Sequence, residues 1–305
     1  MIDKIKSVVI GHAVGDALGV PVEFASREEL DNAPLETMEG FGTYPMPKGS
    51  WSDDTSMALA TLDALINKGV DYDAIMNNFS KWYYDDEFTP TGEMFDVGNT
   101  CSIAIENYVK EKKSWQECGL NGEYSNGNGS LMRIHPIVLY LWKKDMNIKE
   151  KIDMIHNISA LTHAHDRAKI ACGIYSFILW ELLENPTKEA ILIGLKKAKD
   201  YYRTNEELNF YNRLFEKTFI INKRSAIKSG GYVVDTLEAV VWCLLNSTSY
   251  KECVLKAVNL GDDTDTVAAI SGGLAGALYG YDSIPIEWKR VLLKLDKIEK
   301  MCEHL

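Results

Sequence analysis

Residues 231–246, GYVVDTLEAVVWCLLN, decide the fold class. Val233, Leu237, Val240 and Leu244 recur at steps of four and three, which lines them up on one face of a helix. The same period returns in Met57, Leu59, Leu62, Leu65 and Ile66 behind the Ser52-Asp53-Asp54 start. Further helical runs are read at 71–84, 98–111, 148–162, 165–185, 187–201, 248–259 and 286–299. No stretch alternates apolar and polar residues before a hairpin turn, so no strand is expected. Glycine, proline and asparagine gather in three long loops, 31–51, 86–98 and 117–130, and long ordered loops are usually functional. No Pro/Ser-rich linker and no 20–50-residue repeat divides the chain. The pattern predicts an all-α protein, a single-domain compact multi-helix bundle over 1–305.

Composition narrows the function. The 305 residues are 46% hydrophobic and 25% charged, ordinary for a globular protein. Asp and Glu number 44 against 33 Lys and Arg, a net charge of −11. Such a surface repels phosphate backbones and anionic lipid, so neither nucleic acid nor a membrane surface is expected as partner. The first residues, Met1-Ile2-Asp3-Lys4, show no secretory pattern, and no window of ~18–20 apolar residues is read as a bilayer span. Six cysteines, Cys101, Cys118, Cys172, Cys243, Cys253 and Cys302, never fall at C-x-x-C spacing. They point to free thiols in a reducing cytosol rather than a zinc ribbon or redox pair.

Two acidic clusters open two helices: Gly49-Ser50-Trp51-Ser52-Asp53-Asp54-Thr55 and Gly261-Asp262-Asp263-Thr264-Asp265-Thr266. Helix capping is the plainest use of such residues, because Ser, Thr and Asp satisfy free N–H groups there. A cap needs one or two acidic groups, however, and three aspartates in four residues repel one another. Carboxylate and hydroxyl oxygens suit hard divalent cations. Aspartates from two helix starts are able to bridge a metal pair ~3.5–4 Å apart, as in two-metal hydrolases. The loop Ser125-Asn126-Gly127-Asn128-Gly129 offers backbone N–H groups that glycine lets bend towards an anion, or is an ordinary Asn-Gly turn. Arg133 behind it adds charge or serves an internal ion pair. His163 and His165 are read as cleft-lining and packing residues.

Glycines stand every fourth residue at 11, 15 and 19 and again at 272, 276 and 280. Mid-helix glycine costs ~1 kcal/mol relative to alanine, so close backbone packing is the expected compensation. If the two helices are neighbours they are antiparallel, with Gly19 near the start of the later one.

Taken together these motifs resemble the ADP-ribosylglycohydrolases, which include the dinitrogenase-reductase-activating glycohydrolase and the J1 crystallins. The resemblance rests on Gly11–Phe24 (GHAVGDALGVPVEF), Trp51-Ser52-Asp53-Asp54-Thr55, Asn126–Arg133 (NGNGSLMR), Leu161-Thr162-His163, and Asp263–Thr266 with Gly272–Gly276 behind it. It implies an all-α fold with two Mg²⁺ (Mn²⁺ in their place is the alternative) and hydrolysis of the bond between ADP-ribose and an acceptor. By position it implies metal ligands Ser52, Asp53, Asp54, Asp263, Asp265 and Thr266. Glu23 falls beside the metals as the residue that positions or deprotonates water, and Asp54 assists the leaving group, two roles that are interchangeable. Ser125, Asn126, Gly127, Asn128 and Gly129 would approach diphosphate and ribose, and His163 the nucleotide cleft. The expected substrate is an ADP-ribosylated protein or other ADP-ribose conjugate, arginine-linked first. Serine-linked, O-acetylated or small-molecule ADP-ribose is the alternative, as is a non-catalytic ADP-ribose reader or crystallin-like protein. Two positions depart from the family pattern: Asp262, where glycine is usual, and His135, where a small residue is usual. The first is expected to add negative charge beside the metals.

Overall fold

A computed structural model describes residues 1–305. Its helices are α1 Ile2–Gly19, α2 Arg27–Asn32, α3 Asp53–Lys68, α4 Tyr72–Asp85, α5 Asn99–Val109, α6 Trp115–Cys118, α7 His135–Trp142 and α8 Ile148–Ala160. They continue with α9 Asp166–Glu184, α10 Lys188–Tyr202, α11 Val233–Leu245, α12 Tyr250–Val258, α13 Thr264–Tyr279, α14 Ile286–Val291 and α15 Leu295–Cys302. There is no strand; two isolated bridges, Leu120 with His163 and Gly127 with Tyr232, tie loops together. The fold is all-α, as the periodicity predicts.

Local chemistry sets the helix ends. Ser26 with Glu29 and Asn147 with Glu150 form reciprocal capping boxes at α2 and α8. The ring of His165 accepts from the Arg167 N–H, which makes it the cap of α9 and not half of a metal pair. The single run expected over 286–299 is two helices. Leu292 is extended and Lys294 left-handed (φ 57°), and the break receives the loop before α3. There the Leu293 N–H donates to the Gly49 carbonyl, and the Trp51 indole donates to the Leu293 carbonyl.

At the centre α1 runs antiparallel to α13, and both are almost wholly buried. A Cβ added at Gly15 would lie 2.1 Å from the Ala268 carbonyl oxygen, and one at Gly11 2.5 Å from that of Gly272. At Gly19 the added atom would meet Asp265 backbone at 2.2 Å, and at Gly276 the Ser7 oxygen at 1.9 Å. The glycines are therefore spaces into which the partner backbone fits, which offsets their poor helix propensity. Gly280 departs from the expected stripe: it ends α13 at φ 86°, and a Cβ added there would meet no atom within 4 Å. The Tyr250 hydroxyl donates to the Gly11 carbonyl and that of Thr264 to the Gly19 carbonyl, locking the register.

The segment Ile2–Val22 is long and apolar enough to cross a bilayer, contrary to the expectation that no such window exists. Of its apolar window, 89% is buried inside the protein, so the same composition serves as a core helix.

Candidate active site

The antiparallel pair delivers two chain ends to one place. After α1 the chain turns at Val20–Val22 and presents Glu23, and α13 begins there with Asp263 and Asp265. Residues 24 and 25 pair with residue 262: the Phe24 N–H donates to the Asp262 carbonyl, and the Asp262 N–H to that of Ala25. Carboxylate oxygens of Glu23, Asp263 and Asp265 then lie within 4.8 Å of one another.

Asp16, on the inner face of α1, fixes the other acidic cluster. One oxygen accepts the Ser52 N–H at 2.9 Å and hydroxyl at 3.0 Å; the other accepts the Thr55 N–H at 3.0 Å and hydroxyl at 2.6 Å. This buried carboxylate therefore holds the first turn of α3. The two clusters meet where the Thr266 hydroxyl donates to Asp54 Oδ2 at 3.1 Å. The Ser52 hydroxyl lies between Asp16 Oδ1 at 3.0 Å and Asp54 Oδ2 at 3.2 Å, so its one proton is shared by the two carboxylates. Asp263 accepts from the Asn128 side-chain amide at 2.7 Å, which joins the glycine loop to the acidic centre.

Electrostatics follow from this crowding. Burial pushes Glu23 up to about 8; Asp96, Asp263 and Asp16 add repulsion, and the Tyr44 hydroxyl opposes it. Asp53, Asp54 and Asp265 lie well above the ordinary carboxylate range, first from burial and then from neighbouring acids. Buried oxygens Glu23 Oε2, Asp54 Oδ1 and Asp265 Oδ2 have no hydrogen-bond partner. Orphaned buried oxygens among raised carboxylates call for positive charge. An all-oxygen set of this kind suits a hard divalent cation, so the residues fit the metals implied by the sequence.

A cleft of about 350 Å³ opens over the cluster. Glu23, Asp53, Asp263 and Thr266 line it, as do Gly127, Asn128, Gly129 and His163. Ser125 and Asn126 do not line it. Asn126 instead anchors the loop, its side chain donating to the Glu123 carbonyl and its own carbonyl accepting from the Val233 N–H. The Asn128 N–H is spent on the Gly231 carbonyl, whereas those of Gly127 and Gly129 have no acceptor in the chain. Only part of the 125–129 backbone is thus free to meet an anion. Burial lowers His163 to about 3, so it is neutral in the wall of the cleft.

Sequence reading overlooks Asp96, which faces the same cavity from the 86–98 loop. Its φ is 53°, and it acts electrostatically on Glu23, Asp53 and Asp265. The only signal was the length of that loop. Arg133 is also not an ion-pair partner: fully buried, it lies 4.6 Å from the Phe79 ring and donates to Thr162 and the Ile158 carbonyl. Asp262 adopts φ 63° and is exposed, with the Ser229 hydroxyl 3.5 Å away. Its side chain points out of the cluster, which corrects the expectation of extra charge beside the metals.

Comparison with known proteins agrees with this geometry. The family model for ADP-ribosylglycohydrolase matches residues 1–305. The chain is similar to the ADP-ribosylarginine hydrolase Tri1 of Serratia proteamaculans (strain 568), with 32% identity over 315 residues, covering 100% of this chain and 79% of the relative. It is also similar to the ADP-ribosyl-[dinitrogen reductase] glycohydrolase of Rhodospirillum rubrum, with 31% identity covering 98% and 92%. A solved structure described as an ADP-ribosylglycohydrolase-related protein complex superposes with a TM-score of 0.84 at 29% identity, covering 99% of this chain and 96% of that one. Agreement along the whole length in sequence, and again in backbone, leaves one assignment: the chain is a hydrolase belonging to the ADP-ribosylglycohydrolase family.

Proposed function

We propose that the chain removes mono-ADP-ribose from arginine side chains of proteins, with two divalent cations, Mg²⁺ or Mn²⁺, at the acidic cluster. The observation that carries this reading is the convergence of Glu23, Asp263 and Asp265 within 4.8 Å, with Asp265 buried beneath a cleft that Glu23, Asp263, Asp53 and Asp96 line. The similarity to the ADP-ribosylarginine hydrolase Tri1 of Serratia proteamaculans supports arginine as acceptor. Glu23, Asp53, Asp54, Asp263, Asp265 and Thr266 supply the oxygens that would hold the cations. Bound there, the cations would supply Lewis acidity towards the ribose hydroxyls and the attacking water.

The chain's own groups account for the proton movements. Cleavage of the C–N bond builds positive charge on the anomeric carbon, which the surrounding carboxylates stabilise. Glu23 has a free Oε2 in reach of the cleft and takes the proton of the attacking water as its oxygen bonds to that carbon. The departing guanidine nitrogen must gain a proton. Asp54 does not line the cleft and Asp96 does, so Asp96 is assigned that transfer and Asp54 the holding of cations. Asp96 is raised above the usual carboxylate range by burial and by Asp263, which suits an acid at neutral pH. All six cysteines are buried and unpaired, which supports action in the cytosol.

Turnover of arginine-, serine- and acetyl-linked ADP-ribose, each with Mg²⁺ and with chelator, tests the reading. Release from arginine that chelator stops and Mg²⁺ restores is the expected result. Release from serine or acetyl alone would move the acceptor, and no release from any of the three would sink the hydrolase reading.

A further inference from the structure

Behind the cleft, Arg133, Thr162 and His163 form a chain whose proton directions follow from which groups are able only to donate. An Arg133 guanidinium N–H donates to Thr162 Oγ1 at 2.6 Å, and a guanidinium has no acceptor. Thr162 Oγ1 lies 2.8 Å from Nδ1 of His163. One lone pair of the hydroxyl is thus occupied by Arg133, and its single proton is free to point at Nδ1. In the opposite arrangement Nδ1–H would donate and Thr162 would accept twice. Its proton would then turn to the neighbouring Cys101 sulfur, a weak acceptor.

We infer that Arg133 and Thr162 lock His163 in the tautomer that carries its proton on Nε2, so that His163 enters the cleft as a hydrogen-bond donor. Nε2 has no partner within the protein and faces the glycine loop: a Cβ added at Gly127 or at Gly129 would lie 3.5 Å from it. Gly127 and Gly129, whose N–H groups have no acceptor in the chain, line the cleft beside it. These N–H donors suit an oxygen with lone pairs to spare, such as those of a diphosphate. Behind them stands Arg133, fully buried and without a carboxylate within ion-pair distance. In a chain of net charge −11 it gives this wall a local positive potential without entering the cleft. Thr162 and Arg133 are positioning residues; His163 is the group that touches the ligand. The identity of that ligand, ADP-ribose, rests on the function proposed above.

The tautomer is read directly from ¹H–¹⁵N correlation of the histidine rings in the whole protein, with His163 assigned by its loss in His163→Asn. Nitrogen shifts showing protonated Nε2 and bare Nδ1 are expected in the wild type. Thr162→Ser keeps that pattern, whereas Thr162→Val, which keeps shape and loses the hydroxyl, mixes the tautomers. Binding of ADP-ribose by calorimetry is expected to weaken about tenfold in Thr162→Val and to recover in Thr162→Ser, the loss of one hydrogen bond to a charged group. On substrate, KM should rise about as much while kcat moves less than about threefold. Protonated Nδ1 in the wild type, or an unchanged tautomer and ADP-ribose affinity in a folded Thr162→Val, overturns the inference. Failure to hydrolyse any ADP-ribose conjugate, with the Nε2 tautomer and ADP-ribose binding intact, sinks the proposed function and leaves the relay standing.

Discussion

At the start of α3, the free N–H groups are satisfied by a side chain borrowed from α1: both oxygens of Asp16 are spent on Ser52 and Thr55. At the start of α13 no borrowed carboxylate appears. That helix is seated against α1 by the absence of side chains, with Gly19 against Asp265 backbone and Gly15 against the Ala268 carbonyl. One helix therefore supports both acidic clusters by opposite means. The difference explains why aspartates at two helix starts are not simply caps. Asp54 Oδ1 and Asp265 Oδ2 remain without partners because Asp16, Ser52 and close packing hold the turns in place. Each cluster has a different point of failure.

The largest effects should come from the clusters themselves. Asp54→Asn and Asp265→Asn are each expected to lower turnover of ADP-ribosylarginine by about 10³-fold, the scale of losing a placed charge in a catalytic site. In metal-free buffer both should melt higher than wild type, because one of several repelling acids has gone. Full activity in either would break the comparison at its root.

The two supports come next. Asp16→Asn puts amide hydrogens where two donors already point and is expected to cost about 3 kcal/mol in urea unfolding, together with turnover. Gly15→Ala forces an atom to 2.1 Å from a carbonyl oxygen and should cost a comparable ~3 kcal/mol. Gly230→Ala, where nothing lies within 4 Å, serves as the control and should be nearly neutral. If Asp16→Asn left stability untouched, the borrowed cap would have no energetic role.

A smaller effect concerns cations and pH. Mg²⁺ at about 100 times its Kd should add about 2.7 kcal/mol by mass action, read as a higher melting temperature that chelator removes. Without metal, Glu23 at about 8 and Asp16 at about 6 both exceed their ordinary values of 4.5 and 3.8. The folded state then binds protons more tightly than the unfolded one. Metal-free stability should fall as pH climbs from about 4 to 8, and saturating Mg²⁺ should flatten that slope. A metal-free protein that gained stability over this range would contradict the raised carboxyls.

The smallest concerns Asp262. Its left-handed backbone and exposed side chain predict that Asp262→Gly gains up to about 1 kcal/mol and leaves turnover unchanged. A changed Mg²⁺ requirement would show that the carboxylate acts on the cluster after all.

What sequence revealed follows the same physics. Amphipathic helices such as α4 and α8 announce themselves by period, whereas α7, His135-Pro136-Ile137-Val138-Leu139-Tyr140-Leu141-Trp142, is apolar nearly all round and has no face to read. The glycine spacing pointed to close packing of both helices and fixed the direction of an α1–α13 pair if they met, because absent side chains leave a periodic trace; that they meet is seen only in the structure. Clustered aspartates disclosed the acidic centre. Asp96 stood alone in a loop, and nothing local marks a single carboxylate that meets its partners only through tertiary structure. Asp16 was visible as part of a motif, but its four hydrogen bonds to residues 52 and 55 depend on how α3 returns.

Folding order gives the α1–α13 pair a consequence in time. Gly19 and Thr264, joined by a hydrogen bond, are separated by 245 positions. At roughly 5–20 residues per second, a ribosome needs on the order of ten to fifty seconds to supply the second after the first. Throughout that interval α1, apolar enough to pass for a membrane span, has no α13 to cover it. Such distant contacts also close slowly. The newborn chain therefore carries Glu23 and the first aspartates early yet gains no working centre until α13 emerges, so hydrolysis waits for that helix, and α1 is the segment most in need of a chaperone until then.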